Sequence, residues 1–155
     1  MKLFAYGTLM TAEGCRRMLG SRADGFTYRV ARLPGWRRVW NVHSDFWGGG
    51  VLNVERAEGC SVLGVVVEEL TEEDLATLDR GEPTHLPRDL VVVQPDWGDP
   101  VPAQLYWRRK GNHTGKPSTR YLALVLERAR EAGDAVFDDV STGSVDAAGV
   151  PKKFV

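Results

Sequence analysis

One carboxylate in the 155-residue chain stands where its side chain is held in a defined direction: Glu82 follows Gly81 and precedes Pro83 in LDRGEPTHLPR. A proline ring confines the residue before it to extended backbone. A glutamate on a loose surface loop is simply solvated. At a rigid corner between a capped helix and an apolar strand, a glutamate can act as a general acid or base. The second candidate is FAYGTLM, residues 4–10. There a short strand, Leu3–Tyr6, runs without a linker into Gly7-Thr8-Leu9-Met10 and a helix start at Thr11. A tight strand-to-helix junction exposes backbone N–H groups, which suit an anionic group or an oxyanion. Gly7 reads either as part of such a cradle or as a structural glycine needed for positive φ or close packing.

Other chemistries find less support. His43, His85 and His113 are far apart in the chain, and neither His nor Cys shows metal-ligand spacing, so no metal site is expected. Gly111-Asn-His-Thr-Gly-Lys116 imitates a phosphate-binding loop but has one residue too few between its glycines. Pro117 also stands where a hydroxyl should meet magnesium. No G-x-G-x-x-G follows a strand, and no G-x-S-x-G elbow is present. Cys15 falls on the core-facing stripe of the first helix and reads as a small buried hydrophobe. Trp47-Gly48-Gly49-Gly50 reads as a hairpin loop or as a flap over a pocket.

These residues must be positioned by a chain whose length and 43% hydrophobic content suit one domain with one core. Twenty basic residues against 21 acidic ones, net −1, argue against a nucleic-acid partner. The longest apolar stretch, around Val62–Val67, is too short to span a bilayer, and no secretory signal pattern opens the chain. A soluble cytoplasmic protein is the expectation. Alternation and apolar runs predict strands over Leu3–Tyr6, Phe26–Leu33, Trp36–Val42, Val51–Val54, Val62–Val67, Leu90–Gln94 and Val101–Trp107. Three helices have marked starts. Thr11 caps the first; Thr71 and Asp74 form a capping box on the second, with Leu70 and Leu75 as its hydrophobic staple; Ser118 opens the third. The third packs Leu122, Val125, Leu126 and Ala129 inward until Gly133 ends it. Many strands with scattered helices predict an α+β fold or small mixed barrel. The domain is expected over 1–141, with 142–155 an extended or frayed tail.

Three stretches, FAYGTLM, VLNVERAEGCSVLGVVVEELTEEDLATLDRGE and KPSTRYLALVLERAREAG, occur in this order. Together they resemble the γ-glutamylcyclotransferase-like family, which includes γ-glutamylamine cyclotransferases and AIG2-like proteins, across roughly residues 2–140. The resemblance implies a small mixed β-barrel flanked by a few helices, around a pocket. The implied reaction releases 5-oxoproline and a free amine from a small γ-glutamyl compound, without metal or cofactor. Carried over by position, Glu82 falls on the catalytic acid/base, Tyr6, Gly7, Thr8 and Leu9 on the substrate-cradling turn, and Tyr121 on a pocket-lining tyrosine. From the residues alone, Tyr6 and Tyr121 read equally as ordinary amphipathic packing. The sequence departs from the family beside Glu82: Pro83 replaces a usual glycine, and Leu86-Pro87-Arg88 keeps an arginine but loses an aromatic. That departure keeps a second reading open, a binding module of the same fold without turnover.

Overall fold

The structure, a computed structural model, describes residues 1–81, 86–96, 98–113 and 115–154. Two long strands build most of it. β2 (Thr27–Ser44) and β3 (Gly49–Glu68) pair antiparallel from end to end, following β1 (Leu3–Ala5) and α1 (Ala12–Leu19). The sequence predicts four strands here, and the structure joins each pair into one. The pairing steps from Pro34 opposite Ser61 to Trp36 opposite Arg56, so β3 carries 57–60 as an outward excursion while β2 passes only Gly35. Gly35 and Gly59 both take φ of 82°, left-handed backbone that glycine adopts without strain. The unequal bulge bends the ribbon instead of ending it, which is why the break in apolar pattern looks like a strand boundary.

On one side of the bend the ribbon closes a barrel. β1 pairs antiparallel with β3 and parallel with β5 (Val101–Tyr106); β5 pairs with β4 (Arg88–Pro95), and β4 returns to β2. The circuit β3-β1-β5-β4-β2-β3 is a closed five-stranded mixed barrel, the α+β class the sequence predicts. α2 (Glu72–Gly81), α3 (Thr119–Ala132) and α4 (Asp134–Gly143) pack around it. Its core takes both faces of β1, and Phe4, Leu33, Val67 and Leu105 are all fully buried.

The predicted helix starts form as read. The Thr11 hydroxyl accepts from the Gly14 N–H, and Ser118 accepts from Tyr121 N–H. Thr71 and Asp74 exchange side-chain-to-backbone bonds of 2.9 and 3.1 Å. α4 escapes the sequence reading because it has no side-chain cap and a composition, DAVFDDVSTG, of modest helix propensity. Tertiary burial of Val136 and Val140 holds it instead. The last residues are docked. β6 (Ser144–Asp146) lies parallel to β2, β7 (Pro151–Lys152) pairs with β6, and Phe154 N–H donates to Ser141 O at 2.9 Å. The Phe154 ring meets Trp40 edge-on at 5.2 Å.

Arg38 ties these elements together. Its Nε donates to Tyr6 O at the end of β1 (2.9 Å), Nη2 to Leu63 O on β3 (2.6 Å) and Nη1 to Asp139 Oδ2 on α4 (2.6 Å). Asp139 also accepts from Leu63 N–H. Burial lowers the guanidinium's pKa, and Asp139 opposes that loss of charge. Asp139→Ala leaves a buried cation without its counter-charge and is expected to cost about 3 kcal/mol in urea unfolding. A loss below about 0.5 kcal/mol contradicts this account. A second test uses pH. Hydrogen bonds from Arg22, working against burial and helped by Thr71, draw the Asp74 carboxyl from 3.8 down to about 2. A carboxyl lowered on folding stabilises fully above its unfolded value and loses that contribution as pH falls toward its folded one. Asp74→Asn is therefore expected to flatten the stability profile between about pH 4 and pH 2.

Candidate functional site

The turn after β1 is held from three sides. Arg38 takes the carbonyl of Tyr6, Met10 N–H bonds back to Gly7 O at 3.3 Å, and Cys15 Sγ donates to Leu9 O at 3.4 Å. α1 presses closely beneath. A Cβ on Gly14 would stand 1.7 Å from Thr8 O, so only glycine lets the helix approach. Burial pushes the Cys15 thiol up to about 11, which keeps it protonated and unsuited as a nucleophile. Among the described residues, the N–H groups of Gly7, Thr8 and Leu9 donate to no other residue. Gly7 lies outside the left-handed region. A Cβ there would sit 3.7 Å from Leu52 and 3.8 Å from the Tyr121 hydroxyl, in ordinary contact.

Tyr6, Gly7, Thr8, Leu9 and Tyr121 all line one cavity of about 80 Å³. Its wall continues through Arg17 and Met18 of α1, Trp47, Val51 and Leu52, Leu86, and Tyr106. The tyrosines are fixed by their hydroxyls. Tyr6 donates to Tyr106 O (2.5 Å), Tyr106 to Asp79 Oδ1 (2.6 Å), and Tyr121 accepts from Leu52 N–H (3.2 Å). Tyr121 is also wedged between rings, Trp40 at 5.9 Å and Trp47 at 5.2 Å.

Glu82 and the residues to His85 lie outside the described residues, but both flanks of that segment are anchored. Arg88 forks onto Asp79 with bonds of 2.6 and 2.9 Å and also reaches Gln104. Those bonds hold the Asp79 carboxyl below its ordinary range. Gly81 packs on Met18, and Leu86 is buried; Met18 and Leu86 both line the cavity.

The glycine run after Trp47 is a seat for another segment. A Cβ on Gly49 would meet Lys116 O at 2.9 Å, one on Gly50 would meet His113 at 2.6 Å, and Gly50 N–H donates to Lys116 O. The described part of 111–116, the stretch that imitates a phosphate loop, is thus strapped to the ribbon, with Asn112 and His113 N–H both donating to Asn41 O. His43 and His113, 70 residues apart in sequence, approach to 3.4 Å between their Nδ1 atoms, a meeting that spacing could not reveal.

The gamma-glutamyl cyclotransferase, AIG2-like family matches residues 3–123, well over half of the chain. The chain belongs to this family. Among solved structures, a gamma-glutamyl cyclotransferase superposes with a TM-score of 0.75 at 22% identity, covering 86% of this chain and 80% of that one. An uncharacterised human protein, loc79017, gives 0.74 at 23%, with the same coverage. YkqA from Bacillus subtilis gives 0.69 at 17%, covering 90% of this chain and 52% of its own. At these identities the likeness is one of fold. No curated protein matches.

In this cyclotransferase-like chain, sequence reasoning singled out the turn, Tyr121 and the lost aromatic at Leu86, but not Tyr106, Arg17 or Arg38. Two signals existed. Trp36, Arg38 and Trp40 share one face at period two, which marks Arg38 as inward-facing. Tyr106 stands opposite the apolar face of Val101, Ala103 and Leu105, yet is 5% exposed, so both faces of β5 are covered at its end. The two glycines make a test of the packing. Gly14→Ala is expected to lose about 2 kcal/mol in urea unfolding, by overpacking against Thr8 O. Gly7→Ala is expected to keep wild-type stability while narrowing the cavity; equal losses in both would contradict the geometry.

Proposed function

We propose that the chain is a γ-glutamyl cyclotransferase, releasing 5-oxoproline and a free amine from a small γ-glutamyl compound. One observation carries the reading: a turn whose three N–H groups donate to no described residue shares a cavity with Tyr6, Tyr106 and Tyr121, and both anchored flanks of Glu82 abut its lining. Family membership supports it.

The substrate's α-amine attacks its own γ-carbonyl, forming the ring C–N bond as the bond to the leaving nitrogen breaks. Nucleophile and electrophile are already tethered, so several kcal/mol of the roughly 7–11 available from proximity are built into the substrate. The protein folds the chain into the ring-closing conformer and relays two protons from the α-ammonium nitrogen, which ends as the lactam N–H, to the leaving nitrogen, which departs as an ammonium. Glu82 takes each in turn and passes it to the leaving nitrogen, which one carboxylate can do if its pKa is raised toward neutrality. The N–H groups of Gly7, Thr8 and Leu9 receive the α-carboxylate or the tetrahedral oxyanion, and the tyrosines exclude water around the reacting carbons.

A second reading, a binding module without turnover, rests on Leu86. This buried aliphatic lines the cavity where the family resemblance leads one to expect an aromatic. The deciding experiment measures 5-oxoproline release from γ-glutamyl amino acids, γ-glutamyl amines and glutathione. Glu82→Gln is expected to lower kcat by ~10²–10⁴ with the circular dichroism unchanged. Undiminished activity in that variant removes the mechanism. Binding without product from any substrate favours the module.

A further inference from the structure

We infer that Arg17 selects substrates whose leaving amine carries a carboxylate. This rests on the ring-closing reading above and adds to it the half of the substrate that the turn does not hold. Arg17 is the one formally charged side chain among the described residues of the cavity wall. It is also solvent-exposed, which puts it at the mouth while the turn and tyrosines form the interior.

Its guanidinium lies 5.1 Å from the Phe46 ring centre and 5.5 Å from that of Trp47. A second guanidinium, Arg120, stands 5.6 and 4.9 Å from the same two rings and is tied to Phe46 O at 2.5 Å. Arg17 has no such tie: among the described residues it makes no ion pair, and its contacts are with the two rings. Aromatic faces steady a guanidinium while leaving its N–H edge free, and that planar edge matches a carboxylate with two parallel bonds. Two cations sharing one aromatic pair also create a positive field at the mouth.

A γ-glutamyl head group with its α-carboxylate on the turn directs its leaving amine outward, to Arg17. A neutral alkylamine offers nothing to that field and departs as a cation, repelled by both arginines. An amino acid offers a carboxylate one carbon from the leaving nitrogen and departs as a zwitterion.

The test compares γ-glutamyl-alanine with γ-glutamyl-ethylamide, which differ by that carboxylate, on wild type, Arg17→Gln and Arg17→Lys. The ratio of their kcat/KM values is expected to favour the alanine compound by about tenfold in wild type. It should approach unity in Arg17→Gln and recover in part in Arg17→Lys. A wild-type ratio near unity overturns the inference, as does a ratio unchanged in Arg17→Gln. An equal fall for both substrates, which would assign Arg17 to the head group, overturns it too. Calorimetric titration with glutaryl-alanine and glutaryl-ethylamide, which lack the α-amine and cannot cyclise, reads the same preference without turnover. If wild type releases no 5-oxoproline, the ring-closing reading fails, and the ratio of the two dissociation constants decides the role of Arg17. Failure of wild type to bind either glutaryl compound overturns that role as well.

Discussion

A single buried guanidinium holds the fold and the cavity in register. Arg38 reaches the last residue before the turn, a carbonyl of β3 and a carboxylate on α4, and so joins two paired strands to a helix far along the chain. Removing a charge from water is costly, and it is tolerated only where every donor finds an acceptor. The arrangement therefore has little slack: Tyr6, Leu63 and Asp139 must sit within hydrogen-bond range of one planar fork. The position of the turn that faces the cavity is thus decided partly by the C-terminal half of the chain.

A second polar chain extends from this anchor. Tyr6 donates to the backbone of Tyr106, whose own hydroxyl reaches Asp79, and Asp79 is gripped by Arg88. Asp79 and Arg88 stand on the two described flanks of the stretch containing Glu82, and their fork ties those flanks together. The opposite wall is held by rings instead of charges. Tyr121 is set against Trp40 and Trp47, and Trp40 in turn against Phe154. Polar clamps hold one side of the cavity, and packed aromatic rings hold the other.

What could be read from the chain divides along the range of the interactions. Helix starts are local, and the signals at Thr11, Thr71 and Ser118 each appear as the bond their residue types imply. The barrel class also followed from pattern, and the grouping of Tyr6–Leu9 with Tyr121 followed from family resemblance. The bend at Gly35 and Gly59 was not legible, because a bulge that keeps two strands paired looks in sequence like a gap between strands. α4 was missed because its stability comes from burial, which propensity does not register. Arg38 and Arg17 were missed for opposite reasons. A charge is ordinarily assigned to solvent, yet one of these is buried among carbonyls and the other stacks on two rings.

The thiol beneath the turn gives this architecture a kinetic readout. Cys60 lies exposed on the outward excursion of β3, while Cys15 is buried under Leu9 with its thiol pushed up to about 11. At neutral pH only on the order of one Cys15 in 10⁴ is thiolate in the closed form, and that fraction is shielded from reagent. An alkylating agent then consumes Cys60 at once and reaches Cys15 only when α1 lifts from the turn. The slow phase of modification is a clock for that lifting, recording how often the floor of the cavity opens in the intact protein.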